Sequence, residues 1–202
     1  MVQIKQTISK TNYVLFTHNE TQIPENLNIQ IRNTVIERKH TVKFLGIHID
    51  AKLNWHEHIK FVKNKISSAM YAMRKVKHII STRHLLTLYY SLIYPYLDYG
   101  ITLWGSTHTT YTNKINIMQK KAIRVITGAN YNDHTEPLFK KMQLLKLSDI
   151  LTLKMAKYMF ASNKGTLPSP LMHMTTINSS IHTHDTRNKN NPHVHPRRTN
   201  TA

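Results

Sequence analysis

Thr41-Val42-Lys43-Phe44-Leu45-Gly46-Ile47-His48-Ile49-Asp50 is followed almost at once by Asn54-Trp55-His56-Glu57-His58-Ile59. Between the two, the rule that spaces the apolar residues changes. Thr41 to Asp50 contains Val42, Phe44-Leu45, Ile47 and Ile49, with His48 on the face opposite Ile47 and Ile49, the pattern of a strand. After Asp50, apolar residues recur at Trp55, Ile59, Val62, Ile66, Met70, Met73, Val76 and Ile80, in steps of three and four. That is one stripe on a helix. Asn54 with Glu57 three residues later reads as a capping box at its start.

Upstream of this switch the chain reads as strands. Tyr13-Val14-Leu15-Phe16 is short, apolar and aromatic, and Leu27, Ile29 and Ile31 alternate with Asn28 and Gln30. Pro24-Glu25-Asn26 marks a turn. A small antiparallel sheet is expected within residues 2–50. Downstream, Ser81 or Thr82 starts a second helix through Leu85, Leu88, Leu92 and Ile93, interrupted by Pro95. A third runs from Thr112 to Thr127, with Ile115, Met118, Ala122 and Ile126 inward, and stops at Gly128. Thr135-Glu136-Pro137 opens a short helix, and Ser148 caps a last one reaching about Asn163. Four to six helices are therefore expected between Trp55 and Asn163. Beyond Gly165, prolines stand among Asn, Thr, His and Arg, and residues 175–202 read as mostly disordered. The fold class is α+β, divided as 1–53, 54–165 and 166–202.

Charge restricts the partners. Among 202 residues, 28 Lys and Arg face 10 Asp and Glu, a formal +18. Such an imbalance favours polyanions, nucleic acid first and an anionic membrane second. The sequence has no run of about 18 apolar residues, so no membrane span is read, and its helices lack the long split faces of interfacial binders. The absence of cysteine excludes disulfides, thiolate zinc sites and cysteine nucleophiles.

Few residue patterns carry chemistry. Two-metal phosphoryl transfer needs two or three convergent carboxylates, and the acids here are scattered, with Asp133 and Glu136 the closest. The histidine pairs His56/His58, His182/His184 and His193/His195 are two apart, a spacing that points to different faces of a helix. They read as solvated side chains rather than zinc ligands. No nucleophile elbow or glycine-rich phosphate loop is present. What remains is basic helix flanks with aromatic residues between them. Lys60, Lys63 and Arg74 project to one flank of the first helix, and Lys120, Lys121 and Arg124 lie opposite the apolar face of the third. These six are the candidate nucleic-acid contacts. Tyr90, Tyr94 and Trp104 read as core rather than as stacking platforms.

Lys43 to Asp50 with Leu53-x-Trp55-x-x-His58-Ile59 resembles the stretch after the palm in jockey-like reverse transcriptases of non-LTR retrotransposons. Lys10-Thr11-Asn12-Tyr13-Val14-Leu15-Phe16 is similar to a strand that precedes it there. Leu88-Tyr89-Tyr90-Ser91-Leu92-Ile93-Tyr94-Pro95-Tyr96-Leu97-Asp98-Tyr99-Gly100 and Trp104-Gly105 come next in the same order. Gln119-Lys120-Lys121-Ala122-Ile123-Arg124, His134-Thr135-Glu136-Pro137-Leu138-Phe139 and His184-Asp185-Thr186-Arg187 follow. The likeness covers about residues 10–198.

The resemblance implies a polymerase that copies element RNA into DNA. It places the family's paired catalytic aspartates upstream of the Lys10 strand, so no catalytic residue carries over. Residues 1–53 then correspond to the end of the palm and 54–165 to a thumb-like and connecting region that holds the template–primer duplex. The expectation is a reverse transcriptase fragment, non-catalytic by itself, with no cofactor and no metal. It contacts RNA or DNA template–primer without sequence preference and no membrane, in the cytoplasm or nucleus; the oligomeric state is open. The alternative is a standalone basic helical module, or a non-functional remnant of a mobile element.

Overall fold

The computed structural model describes residues 11–17, 27–172 and 176–193. The turn read at Pro24-Glu25-Asn26, together with Lys10 and His195, lies outside them. Among the described residues, six short strands come first: β1 (Asn12–Tyr13), β2 (Gln30–Ile31), β3 (Thr34–Val35), β4 (Glu37–Arg38), β5 (Thr41–Phe44) and β6 (Ile47–Asp50). The helices are α1 (His56–Val76), α2 (Thr82–Leu92), α3 (Tyr94–Asp98), α4 (Ile101–Trp104), α5 (Thr109–Thr127), α6 (Thr135–Lys141), α7 (Leu147–Asn163) and α8 (Ser169–Met172).

The strands pair in three two-stranded pieces. β2–β3 and β5–β6 are antiparallel, while β1 lies parallel to β4. Thr41 to Asp50, which reads as one strand, is a hairpin: Phe44 opposes Ile47 across the two-residue turn Leu45-Gly46. Both turn residues have positive φ, 46° and 86°, the sense that matches the twist of antiparallel strands. Leu45 is costly there, since its Cβ crowds the backbone. The Tyr99 hydroxyl donates to its carbonyl at 2.6 Å and holds the turn. Gly100 makes the same junction possible, because a Cβ at that residue would lie 2.6 Å from Cδ1 of Ile47.

Asp50 converts hairpin to helix. Its buried carboxylate accepts N–H bonds from Lys52 and Asn54 at 3.1 Å each and from Trp55 at 2.8 Å. Asn54 then accepts from His56 N–H at 2.9 Å. The expected cap is thus shifted by one: Trp55, at φ 65°, is the residue before the helix, and Asn54 serves the first turn from outside.

The stripe read on α1 is the stripe that packs. Ile59, Val62, Ile66, Met70 and Met73 are buried, with Trp55, Val76 and Ile80 at the margin. α5 lies against α1, α2 and α6 and buries Ile115, Met118, Ala122, Ile123 and Ile126. It ends at Gly128, φ 69°. Seven helices fall between 56 and 163, where four to six were expected. Pro95 and Gly100 break the aromatic stretch into α3 and α4 rather than merely kinking it. Within that stretch Trp104 is fully buried and Tyr94 partly so, but Tyr90 is exposed and Tyr89 takes the interior position.

The chain forms two compact units, residues 1–151 and 152–202. In the second, residues 176–193 are irregular and largely exposed, with one 3-10 turn (Asn178–Ser180) and a single bridge, Ile177 to Pro192.

Gln119 of α5 crosses this core as a polar tie. Only 1% exposed, its amide nitrogen donates to the Tyr89 hydroxyl at 3.0 Å and to the Leu145 carbonyl at 2.9 Å. Its oxygen accepts the Leu147 N–H at 2.9 Å. Gln119→Met keeps the volume but orphans the buried Tyr89 hydroxyl and Leu147 N–H and releases the half-buried Leu145 carbonyl, and should cost about 2–4 kcal/mol in urea unfolding. Tyr89→Phe, which breaks one of the three bonds, should cost about 1 kcal/mol.

Candidate nucleic-acid interface

Lys60 and Lys63 stand one turn into α1, exposed, on the flank away from the buried stripe. The Asp50 turn fixes where that flank faces. α5 brings a third ammonium to the same place. Its first turn is held by His108, whose Nδ1 accepts the Thr110 N–H at 3.3 Å. Its Tyr111 ring meets His56 edge-to-face at 5.4 Å, and the Lys114 ammonium lies 5.4 Å from the centre of that ring. Between the two helices, His56, Ile59, Lys60, Lys63, Tyr111 and Lys114 line a notch of about 210 Å³.

Three lysines and a partly exposed aromatic on one notch form an anion-attracting surface. The nearby acid is Glu57, 4.0 Å from Lys60 and 3.9 Å from His56. Such exposed pairs are weak, typically about 0.2–1 kcal/mol, so a phosphate competes for Lys60 readily. The sequence pattern does not single out Lys114, yet it holds a signal for it. Lys114 precedes Lys121 by seven residues, which puts the two within about 20° of each other on α5.

The other expected contacts are dispersed. Arg74 lies in the last turn of α1, about 21 Å along the axis from Lys60. Lys120 lines a separate cavity of about 590 Å³ with Asn113, Asn116, Ser148 and the Glu136–Lys146 ion pair. That pair holds the Glu136 carboxyl below its ordinary range through the Lys146 hydrogen bond. Lys121 is half-buried. Arg124 is occupied within the fold. Its Nε and Nη2 donate to the Asp133 carbonyl at 3.2 and 2.8 Å, and its guanidinium lies 5.9 Å from the Tyr131 ring centre. Asp133 in turn accepts the Asn130 N–H at 2.7 Å. Asp133 and Glu136 are thus each engaged locally. Among the described residues, no three His, Cys, Asp or Glu side chains are grouped to hold a metal ion.

His58 corrects the reading of the histidine pairs as solvated. It is 2% exposed, among Trp104, Phe61 and Trp55, with ring centres 5.7, 6.3 and 6.5 Å away. Three residues after Trp55 and four before Val62, it falls on the edge of the α1 stripe, which is why it is interior while His56 is not. Burial first, and the neighbouring His48 second, push its pKa from 6.5 down to about 4.

Comparison with known proteins gives matches of one kind. Over 175 residues the chain is 27% identical to the RNA-directed DNA polymerase from mobile element jockey of Drosophila melanogaster, covering 83% of this chain and 19% of that protein. It is 23% identical over 153 residues to the probable RNA-directed DNA polymerase from transposon X-element of the same species, covering 74% and 16%. With that from transposon BS, also of Drosophila melanogaster, the identity is 23% over 142 residues, covering 69% and 16%. The chain thus spans less than a fifth of the length of these curated relatives. No known family profile and no solved structure matches it. Among the described residues, no helix is long and apolar enough to cross a membrane.

The buried histidine makes stability depend on pH. A folded-state pKa below the unfolded value means that the unfolded chain takes up the proton first. Stability therefore rises with pH between about 4 and 6.5 and is lost as pH falls through that window. The full effect is roughly 3 kcal/mol at most. Urea midpoints at pH 5 and 7 should differ in the wild type, and much less in His58→Phe. The occupied guanidinium has its own signature: Arg124→Ala should speed amide exchange at Asn130 and Asp133 and cost about 1–2 kcal/mol, whereas Lys120→Ala should do neither. Over most of its length the chain is thus similar to the RNA-directed DNA polymerases of the jockey, X-element and BS non-LTR retrotransposons.

Proposed function

We propose that this chain is the part of a reverse transcriptase that holds the template–primer duplex by its sugar–phosphate backbone, and that by itself it does not polymerise. The observation that carries the reading is the convergence of Lys60, Lys63 and Lys114 on one notch. Lysine ammoniums are compact point charges without the planar fork that reads base edges, so their contacts position a duplex without specifying its sequence. An overall +18 supplies the long-range attraction. Arg74, Lys120 and Lys121 extend the same basic character along α1 and α5. Arg124 contributes by fixing the 129–133 loop.

Polymerisation is not proposed for the chain alone, because two-metal phosphoryl transfer needs carboxylates convergent on both ions. Three of the acids described here are held by local partners. Asp50 serves three backbone N–H groups, Glu136 pairs with Lys146, and Asp133 accepts from Asn130.

The test is a salt titration with a fluorescent RNA–DNA hybrid. Each neutralised phosphate contributes about −0.9 to the slope of log affinity against log salt. Replacing Lys60, Lys63 and Lys114 together with Ala should flatten that slope by up to about 2.7. The melting curve should be unchanged, since all three side chains are exposed. An unaltered slope and affinity would show that the notch is an ordinary solvated surface. Purified wild-type chain should give no primer extension over a no-protein control with Mg²⁺ or Mn²⁺; extension that survives stringent purification would contradict the non-catalytic reading.

A further inference from the structure

The cavity of about 590 Å³ beside Lys120 is built on another stripe of α5 from the one that carries Lys114. Asn113, Asn116, Ile117 and Lys120 stand at i, i+3, i+4 and i+7, which sets them on one face of the helix. His134 and Glu136 at the start of α6, with Lys146 and Ser148 at the start of α7, continue the lining. Asn113, Lys120, His134 and Ser148 are exposed and Asn116 is half-buried, so the recess is open to a guest from solvent.

Its polar groups are of a particular kind. Asparagine is a poor helix former, because its carboxamide competes for backbone hydrogen bonds. α5 nonetheless carries two on this stripe. Among the described residues their carboxamides bond only to each other, Asn116 Nδ2 donating to Asn113 Oδ1 at 3.5 Å, near the outer limit for such a bond. A carboxamide both donates and accepts, and so does the Ser148 hydroxyl; an ammonium only donates and a carboxylate only accepts. Of the charged groups, Glu136 and Lys146 pair with each other. Lys120 is left as an exposed cation with no ion pair among the described residues. One positive charge thus stands beside three groups of dual hydrogen-bonding character.

That combination matches the backbone of RNA. A ribose 2′-hydroxyl is both donor and acceptor, and it is the group by which a protein tells RNA from DNA at a given site. Base edges also suit carboxamides, but in a duplex of A-form geometry the bases are paired and the wide, shallow minor groove presents 2′-hydroxyls. Position agrees as well. Lys114 follows Asn113 directly, about 100° round the helix, and Asn113, Lys114, Ile117 and Lys120 are all exposed. A duplex seated on the notch therefore meets the recess along the same helix.

We propose that this recess reads the RNA strand of a bound hybrid: the Asn113 and Asn116 carboxamides and the Ser148 hydroxyl bond to ribose 2′-hydroxyls, and Lys120 holds an adjoining phosphate. The proposal rests on the backbone reading above and adds strand identity to it. The notch lysines hold either kind of strand, whereas the recess distinguishes them.

The experiment compares, by fluorescence anisotropy on the full chain, an RNA–DNA hybrid with the same hybrid carrying 2′-fluoro in place of every 2′-hydroxyl, each in two sequences. The fluoro strand keeps the A-form shape but cannot donate from the 2′ position. The hydroxyl hybrid should bind about tenfold tighter, the value of one hydrogen bond of about 1.4 kcal/mol. Asn113→Ala with Asn116→Ala should abolish that ratio and leave the affinity for the fluoro hybrid unchanged. Alanine is the better helix former and neither side chain is buried, so the fold should persist. Ser148→Ala should reduce the ratio in part. The Lys60, Lys63 and Lys114 triple variant should weaken both hybrids alike and keep the ratio. Equal wild-type affinity for the two hybrids, or a ratio indifferent to the double Asn substitution, overturns the proposal. So does a preference between the two sequences that vanishes with that substitution, since the carboxamides would then be reading base edges. If the ratio is absent while the triple variant still flattens the salt slope, the backbone reading stands without strand identity; if neither effect is seen, both fail.

Discussion

The arrangement of the helices depends on one buried amide. Gln119 occupies a position on α5 where the helix faces the interior, flanked by Met118 and Ala122. An apolar residue there would pack, but it would leave the Leu145 carbonyl and the Leu147 N–H without partners at the point where the chain turns from α6 into α7. Irregular backbone can be buried only when its polar groups are met. The amide meets both and uses its remaining N–H on Tyr89 of α2. A single side chain thereby joins three segments far apart in sequence. Tyr89 is embedded deeply enough that its phenol is pushed up to about 12, against the opposing effect of the Gln119 bond.

The basic notch inherits its geometry from this tie. With Gln119 facing inward, the rotation of α5 about its axis is set, and Lys114 and Tyr111 in its first turns are carried to α1. On the other side, Asp50 sets where α1 begins by gathering three backbone N–H groups. The notch between Lys60, Lys63 and Lys114 is therefore a consequence of two buried polar anchors, neither of which touches it. The same Asp50 turn places His58 behind the hairpin, so the basic notch and the buried imidazole lie on two sides of one helix.

Much of this is legible in the residues. The α1 stripe, the stop at Gly128 and the short helix at Thr135-Glu136-Pro137 follow from local rules of spacing and capping, and local rules are enough. The hairpin within Thr41 to Asp50 is hidden because Leu45 is a poor residue for positive φ; only the distant Tyr99 makes it tolerable. Tyr89 and Tyr90 exchange places because adjacent aromatics on a helix differ by about 100° and composition does not say which one faces in. Lys60 and Lys63 are recognisable as an exposed flank. Lys114 is not, because pairing α5 with α1 is a tertiary fact. Arg124 shows the converse: a basic residue on a helix surface reads as a phosphate contact, and the loop that occupies its guanidinium is set by the Asp133 carbonyl, which no side-chain pattern announces.

The most direct measurement of the central claim is a ¹³C spectrum of the reductively dimethylated chain, in which every lysine keeps its charge and gives its own signal, recorded with and without an RNA–DNA hybrid at low salt. The account predicts that the Lys60, Lys63 and Lys114 signals move together and saturate at one stoichiometry, and return as salt is raised. If those three stay fixed while lysines elsewhere in the chain shift, the duplex lies on another surface and the notch between α1 and α5 does not hold it.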